Sequence, residues 1–257
     1  MIRIAVCDWN RTLFEDPYDS AFFFGLMRKS AFDRFRAVNL KRLFGLLKTH
    51  YECESLLKRC LRLEATDSQA RAELVSAIVE ILNRHIIQGI PARLLDAYLD
   101  EYALRAATRL DQRLLGPLTR LHRDFGLTVV VLSSGCQSGI ERTLTKVGFP
   151  FESVIANAFE RQGDCLTRFK ITVYGNKGAI LKDLLQEKRV DPGETAFIGD
   201  DWEDRDCFEM VGVPVVSFFA SQESKALLAK ACHAFIPKTE ADVEELLCSR
   251  EAAYRVH

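Results

Sequence analysis

The sequence predicts an α/β protein built on a doubly wound parallel sheet, with an all-helical segment inserted after the first strand. Short apolar runs rich in β-branched residues recur along the chain, as expected for strands of a parallel sheet buried on both faces. From about residue 112 onward these runs alternate with helical stretches, which is typical of this fold class. From about residue 15 to residue 110 the chain contains many helix formers and no convincing strand.

The composition is that of a globular protein. The chain of 257 residues carries 35 Lys+Arg and 36 Asp+Glu, and 48% of its residues are hydrophobic, which is enough for a sizeable core. A net charge of −1 argues against the bulk electrostatic attraction that dominates nucleic-acid binding. No stretch approaches the roughly 18 apolar residues of a membrane span. We therefore expect neither a nucleic acid nor a membrane as partner.

The cysteines point to a reducing compartment. None of the eight lies in a C-x-x-C pair, so a zinc knuckle or a redox dithiol is not expected. The N-terminus enters the first strand without the pattern of a signal peptide. We expect reduced thiols and a cytoplasmic protein, whereas the oligomeric state is not predictable from the sequence.

The first strand is predicted at residues 2–7 and is followed by a long helical insertion. Apolar residues recur there at helical spacing, and Pro91 after Gly89 marks a helix boundary. The helical pattern is carried by Leu74, Ile78, Ile81, Leu82, Leu94, Leu95, Tyr98 and Leu99. The sequence thus predicts an α/β core domain of residues 1–14 and 111–257, and a helical cap domain of residues 15–110.

The remaining elements follow in alternation. Strands are predicted at 127–132, 195–198 and 213–216, and helices at 137–147, 177–188, 203–211, 221–231 and within 239–251. Ligand sites in open α/β sheets form outside the carboxyl ends of the strands. The segments that follow three of the strands are Asp8-Trp9-Asn10-Arg11-Thr12-Leu13, Ser133-Ser134-Gly135 and Gly199-Asp200-Asp201-Trp202-Glu203-Asp204. We expect them to meet at one edge.

This set of residues suits the binding of a metal and a phosphate. Carboxylates that share a cleft repel each other unless a cation neutralises them, and oxygen ligands suit Mg²⁺. Ser133 and the N–H groups of the following turn can bind an anion such as phosphate. Lys177, at the start of a predicted helix, can supply a fixed positive charge. A carboxylate beside a metal and a lysine can act as a nucleophile on phosphorus.

Four motifs in this order resemble the haloacid dehalogenase (HAD) superfamily. They are Asp-x-Asn-x-Thr-Leu, Ser-Ser-Gly, a downstream lysine, and Gly-Asp-Asp-x-x-Asp. The match is closest to the Mg²⁺-dependent phosphatases, and the stretch Gly175-Asn176-Lys177-Gly178-Ala179-Ile180-Leu181 is similar to that of phosphoserine-phosphatase-like members. The resemblance covers residues 1–14 and about 112–240. It implies a Rossmann-like core, and the helical insertion sits where the superfamily places its first-type cap.

The resemblance also implies a role for each motif residue. Asp8 would be the nucleophile that forms an aspartyl-phosphate. Mg²⁺ would be held by Asp8, the main-chain carbonyl of Asn10 and Asp200, with Asp204 acting indirectly and Asp201 assisting. Ser133 would hydrogen-bond the phosphoryl group, Lys177 would orient Asp8, and Thr12 would organise the loop. The substrate contacts would come from Thr12, Arg11, Ser134 and Gly135, although Arg11 can equally be an exposed charge.

Asn10 departs from the phosphatase pattern, which has an aspartate two residues after the nucleophile. That aspartate protonates the leaving oxygen and then activates water, whereas an amide has no titratable proton near neutral pH. General acid–base catalysis typically contributes about 10²–10⁴ in rate, so hydrolysis is expected to be slowed unless another group substitutes. Two alternatives stay open: a phosphate-binding protein without hydrolytic activity, or another reaction such as phosphoryl transfer or cleavage of a carbon–phosphorus or carbon–halogen bond.

The charge is unevenly distributed and bears on the substrate. Residues 28–62 contain ten basic and three acidic residues, whereas the whole chain is at −1. Such a run is either a solvated helix face or a positive surface for an anionic ligand. Together with the motifs, it favours a small phosphorylated metabolite as substrate.

Overall fold

The computed structural model describes residues 2–15 and 68–249, together with residues 22, 23, 25, 26, 28, 29, 49, 51–56, 58, 59, 62 and 63. Of the ten basic residues counted between 28 and 62, five lie outside the described residues. These are Arg34, Arg36, Lys41, Arg42 and Lys48.

Six strands form one sheet in the order β4-β3-β2-β1-β5-β6. All neighbours are parallel except β3 and β4, which form an antiparallel hairpin. The predicted doubly wound α/β fold is therefore confirmed. The strands are β1 Ile4–Cys7, β2 Thr128–Cys136, β3 Ser153–Gln162, β4 Cys165–Lys170, β5 Thr195–Gly199 and β6 Val213–Val216.

Helices cover both faces of the sheet. In β1, Ala5 and Cys7 face one hydrophobic cluster, whereas Ile4 and Val6 face another, as the two-residue period of a strand requires. The first cluster is completed by α3, α4 and α8, and the second by α5, α6 and α7. The helices are α1 Ser68–Leu82, α2 Ala92–Ala107, α3 Gln112–Phe125, α4 Gln137–Lys146, α5 Lys177–Lys188, α6 Arg205–Met210, α7 Gln222–Ala231 and α8 Glu240–Cys248.

Two differences from the predicted elements affect the site. β2 continues to Cys136, beyond its predicted end at residue 132, with a shift of register between Ser133 and Cys136 where it pairs with β3. The predicted helix 203–211 is divided into a 3₁₀ turn at Trp202–Asp204 and α6. The Asp201 side chain caps the start of the 3₁₀ turn by accepting a hydrogen bond from the Trp202 N–H at 2.6 Å.

The hairpin of β3 and β4 is not among the elements predicted from the sequence. Its two strands are joined by a loop of two residues, Gly163 and Asp164, and Gly163 has a φ of 58°, a conformation that glycine adopts readily. The second half of β3 and much of β4 are partly exposed and charged. They therefore lack the continuous apolar run that revealed the buried strands.

A third hydrophobic cluster joins the helices between residues 68 and 107 to this hairpin. It contains Phe22 and residues of α1 and α2, together with Leu166 and Phe169 of β4. Asn83, in a π-helical turn after α1, binds both backbone groups of Phe169, at 3.0 and 2.6 Å. The hairpin thus belongs to the packing of the predicted cap, although the division into a core and a cap at residues 15 and 110 stays a prediction. None of the helices in the described ranges has both the length and the apolar character that a membrane crossing needs.

Candidate active site

The carboxyl ends of β1, β2 and β5 lie side by side and place the motif segments at one edge of the sheet. Cys7 of β1 is level with Val131 of β2 and with Ile198 of β5. The Asp8 N–H then donates to the Ile198 carbonyl at 2.8 Å, which extends the pairing by one residue. Asp8 therefore emerges directly beside the Gly199-Asp200 segment.

Three buried carboxylates converge at this edge. Asp8, Asp200 and Asp204 are only 4%, 7% and 1% exposed, and a carboxylate oxygen from each lies within 4.8 Å of the others. Burial raises the pKa of Asp204 to about 7, against the pull of Lys177 and with a further rise from Asp8. Burial and repulsion from Asp8 and Asp204 also raise the pKa of Asp200 well above its usual range.

Lys177 joins two of these carboxylates. Its Nζ donates to Asp8 Oδ1 at 2.8 Å and to Asp204 Oδ1 at 2.6 Å. Burial acts to lower the pKa of Lys177, but the charges of Asp204 and Asp8 raise it well above its ordinary value. Lys177 is the first residue of α5, and Gly178 lets α5 approach α6, since a Cβ there would lie 2.7 Å from the Asp206 Cβ.

The residues present fit a divalent cation. Two cations, Lys177 and Arg11, face three carboxylates, so one negative charge is left over at a buried place, and such a charge needs a neutralising cation. Asp204 Oδ2 is buried and has no hydrogen-bond partner among the described residues. Carboxylate oxygens are the ligands that Mg²⁺ prefers. The donor set therefore suits the predicted metal.

Asp201 and Glu203 lie beside this group and not in it. Asp201 caps the 3₁₀ turn at Trp202–Asp204. Glu203 Oε1 instead accepts hydrogen bonds from Arg71 of α1 at 3.2 Å and from Tyr174 at 3.0 Å. A member of the predicted cap thus contacts the loop that carries Asp204. The sequence analysis missed Arg71 and Tyr174 because an isolated arginine or tyrosine gives no pattern signal.

The loop after β1 turns tightly around the site. The N–H groups of Thr12 and Phe14 both donate to the Trp9 carbonyl, at 3.3 and 2.9 Å. Thr12 is fully buried, and both its Oγ1 and the Asn10 Oδ1 are buried without a hydrogen-bond partner among the described residues. These unsatisfied oxygens lie in the motif loop, where the sequence predicts ligand contacts.

Arg11 contacts the same edge of the sheet. Its φ of 52° is in the left-handed region, a conformation that glycine adopts readily and other residues rarely adopt. Its guanidinium donates to the Phe219 carbonyl at 3.0 Å, and its Nε lies 3.7 Å from Asp200 Oδ2. Ser217 Oγ donates to the Arg11 carbonyl at 2.5 Å. The charge is thus held against the protein and is not freely solvated.

Ser133 is fully buried at the end of β2 and accepts a hydrogen bond from the Gly135 N–H at 3.0 Å. The Ser134 carbonyl accepts one from Asn157 of β3 at 2.5 Å. The sequence analysis did not single out Asn157, although a polar residue within the apolar stretch 154–158 is a signal that would have found it.

The structure describes the basic residues at the two ends of the predicted basic surface of residues 28–62. Arg28, Lys58, Arg59 and Arg62 are exposed. Lys58 pairs with Glu54 at 2.7 Å, and Lys29 pairs with Glu101 of α2. Two of the described cations are therefore already neutralised, and the substrate-binding role of this stretch stays a prediction.

A parallel α/β sheet with clustered carboxylates and a lysine at its carboxyl edge defines an enzyme-like site. A family model of haloacid dehalogenase-like hydrolases matches residues 5–209. Because this match spans most of the chain, the protein belongs to the haloacid dehalogenase-like hydrolase family. None of the curated proteins matches the sequence.

Solved structures share the fold. A protein of unknown function from Bordetella pertussis Tohama I is 19% identical with a TM-score of 0.63, over 92% of this chain and 98% of that one. A cytosolic 5'-nucleotidase IIIB bound to cytidine is 16% identical with a TM-score of 0.61, over 99% and 86%. A substrate-bound phosphoserine phosphatase is 14% identical with a TM-score of 0.53, over 96% and 97%. At these identities the likeness establishes the fold.

Proposed function

We propose that the protein is a Mg²⁺-dependent phosphatase that hydrolyses a small phosphorylated metabolite through an aspartyl-phosphate on Asp8. The observation that carries this proposal is the contact of the buried Lys177 with both Asp8 and Asp204, beside Asp200. Family membership and the similarity to a phosphoserine phosphatase and a nucleotidase support a phosphate ester as the substrate.

In the first step, a carboxylate oxygen of Asp8 attacks phosphorus and the bond from phosphorus to the ester oxygen breaks. Lys177 keeps Asp8 pointed at the site, because a second hydrogen bond, to Asp204, holds its Nζ in place. Ser133 and the N–H groups of its turn would hold the phosphoryl oxygens. In the second step, water attacks the phosphorus of the aspartyl-phosphate, which releases phosphate and restores Asp8. The proton that this water loses balances the proton that the leaving ester oxygen gains in the first step.

Mg²⁺ would be held by Asp8, Asp200 and the main-chain carbonyl of Asn10, with Asp204 in support. When bound, it neutralises charge on the carboxylates and on the phosphoryl oxygens. The cap would exclude water from the bound ester. The buried free thiols of Cys7, Cys136, Cys207 and Cys232 suit a reducing compartment, and we place the protein in the cytoplasm.

A phosphate-release assay tests this proposal. Wild-type protein is incubated with a broad panel of phosphomonoesters, with Mg²⁺ and with EDTA, beside Asp8→Asn. We expect phosphate release with Mg²⁺ and none with EDTA. In Asp8→Asn the rate of release should fall by at least about 10³-fold, because the nucleophile is removed. Asp124→Asn makes the same chemical change at an exposed carboxylate at the end of α3 and should match wild type. No release from the whole panel, or full activity in Asp8→Asn, would refute the proposal.

Asn10 favours a second candidate, a protein that binds phosphate at this site without turning it over. The leaving oxygen must gain a proton and the attacking water must lose one, and an amide supplies neither. Asn10→Asp restores such a group and, measured beside wild type, distinguishes the two candidates: release by Asn10→Asp with none by wild type would identify a protein that binds phosphate without turning it over. A gain of about 10²-fold or more in phosphate release would identify the wild type as an impaired hydrolase. Unchanged activity in an active protein would indicate another proton donor.

A further inference from the structure

Asn157 lies where β3 stops running parallel to β2. In that pairing Ser133 is level with Ala156, and Cys136 is level with Asn157. Ser134 and Gly135 are thus extra residues in β2, forming a bulge of the kind that re-aims a strand next to a site. Asn157 is only 2% exposed, so its amide must find its hydrogen-bond partners within the protein.

The Asn157 side chain makes three hydrogen bonds, in two directions. Its Nδ2 donates to the Ser134 carbonyl at 2.5 Å. Its Oδ1 accepts from the N–H groups of Thr172 and Val173, at 2.8 and 3.0 Å. One side chain therefore connects the bulge of β2 to the segment that follows β4.

Both connected segments lead directly to proposed site residues. Ser134 follows Ser133 in the turn that would bind the phosphoryl group. On the other side, the Val173 carbonyl accepts from the Asn176 N–H at 2.9 Å, and Asn176 is the residue before Lys177 at the start of α5. Asn157 thus binds Val173, and Val173 in turn binds Asn176, the residue next to Lys177.

We propose that Asn157 is a positioning residue that sets the separation between the phosphoryl-binding turn at 133–135 and Lys177. This inference rests on the proposed phosphatase function, and Asn157 itself touches none of the reacting groups. The side chain at position 157 has to donate one hydrogen bond, to the Ser134 carbonyl, and accept two, from the Thr172 and Val173 N–H groups. It has to do so without a charge, because the position is buried. Asparagine meets that need, whereas aspartate would face the Ser134 carbonyl as a second acceptor and alanine would leave all three backbone groups unpaired.

Asn83 offers a matched control. It is also buried, and its amide binds the N–H and the carbonyl of Phe169. These bonds hold the predicted cap to β4 and do not involve the turn at 133–135 or the segment before Lys177. Alanine or aspartate at position 83 therefore removes the same kind of bond without the proposed positioning effect.

The test compares Asn157→Ala and Asn157→Asp with Asn83→Ala and Asn83→Asp in phosphate release, thermal unfolding and amide hydrogen exchange. We expect kcat/KM to fall about 10- to 100-fold at position 157, as for partners that orient ligating or catalytic groups. The Asn83 variants should stay within about threefold. Exchange should be faster within 133–136 and 171–177 in the Asn157 variants only. Asn157→Asp should regain kcat as pH falls, because a protonated carboxyl can donate again to Ser134, and Asn157→Ala should not.

Each outcome decides the question. Equal losses of kcat/KM at positions 157 and 83, or wild-type exchange in both segments of Asn157→Ala, would overturn the inference. If Asn157→Ala does not fold, the pH dependence of Asn157→Asp decides, and a profile parallel to wild type counts against positioning. If wild-type protein releases no phosphate, the proposed function fails, and hydrogen exchange still shows whether Asn157 couples the two segments.

Discussion

At the scale of single residues, Gly199 shows how the absence of a side chain shapes the site. It ends β5 directly before Asp200, and a Cβ on Gly199 would lie 2.6 Å from Asp204 Oδ2 and 2.8 Å from Phe197 Cε1. Both distances are shorter than real Cβ contacts allow. The buried carboxylate of Asp204 therefore occupies space that only glycine leaves free.

We predict that Gly199→Ala loses phosphatase activity without losing the fold. The methyl group must displace Asp204 or Phe197, and a shift of about 1 Å at a catalytic group can cost roughly 100-fold in rate. Overpacking should also destabilise the protein by about 1–3 kcal/mol. Steady-state kinetics and thermal unfolding measure the two effects.

Gly116→Ala is the control for this variant. Gly116 lies within α3, where a Cβ would meet the flexible end of Arg120 at 3.3 Å. Alanine in a helix interior is favoured over glycine by up to about 1 kcal/mol, so this variant should be fully active. Wild-type kcat in Gly199→Ala would contradict the prediction, because it would mean that Asp204 is not displaced or that its displacement does not affect catalysis.

Residue identities in the motifs were predictable from the sequence, whereas several contacts were not. Asp8, Asp200 and Asp204 were placed at one edge because they follow parallel strands. The sequence also placed Asp201 with them, but its carboxylate caps the next turn. The direction of a side chain in a loop depends on the local backbone conformation. The spacing of residues in the sequence therefore cannot tell which of two adjacent aspartates, Asp200 or Asp201, points into the site.

At the scale of elements, the contact of α1 with the 3₁₀ turn at Trp202–Asp204 connects the predicted cap to the site. Arg71 pairs with Glu203 at 3.2 Å, and these side chains are 20% and 32% exposed. Glu203 precedes Asp204 in the chain. The ion pair therefore connects α1 to the residue that is directly bonded to Asp204.

We predict that Arg71→Gln, Glu203→Gln and the double variant raise KM by a similar factor, about two- to fivefold. A partly exposed pair is worth up to about 1 kcal/mol, and either single change breaks the same pair, so the effects should not add. Initial rates over a range of substrate concentrations provide the measurement.

Arg3→Gln serves as the matched control, because it breaks the exposed pair of Arg3 with Glu194 at 3.1 Å and leaves both α1 and the 3₁₀ turn at Trp202–Asp204 untouched. We expect an unchanged KM in that variant. Additive effects in the Arg71 and Glu203 double variant would mean that the two residues act separately and not as a contact.

The elements themselves were predictable where they are buried. The four apolar strands follow from their continuous hydrophobic runs, and α5 matches its predicted range 177–188. The hairpin of β3 and β4 was missed because its exposed half interleaves charged residues such as Glu160, Arg161 and Arg168. These residues form ion pairs with one another across the two strands or with α2. Such contacts between distant parts of the chain leave no periodic pattern in the sequence from which a strand could be predicted.

At the scale of the whole molecule, the buried carboxylates couple stability to pH and metal. Burial raises the pKa of Asp204 to about 7, above its value of about 3.9 in an unfolded chain. Between these values the folded state binds more protons than the unfolded state, so stability falls as pH rises. Above pH 7 both states are ionised and this contribution stays constant.

We predict that, in EDTA, Tm falls from pH 5 to pH 8 more in wild type than in Asp204→Asn, which lacks the titrating group. Mg²⁺ should raise the wild-type Tm more at pH 8 than at pH 5, because metal ligands must be deprotonated. Differential scanning calorimetry with both proteins at matched ionic strength tests this. A parallel pH dependence in the two proteins would indicate that Asp204 is ionised throughout.

The central place of β1 has a consequence for how the chain is made. Ile4 pairs with Thr128 on one side and with Thr195 on the other, so β1 is synthesised long before either of its neighbours in the sheet. Until then a fully apolar strand has no partner on either edge, a state that invites aggregation. The sheet therefore cannot close around β1 until β5 has been synthesised.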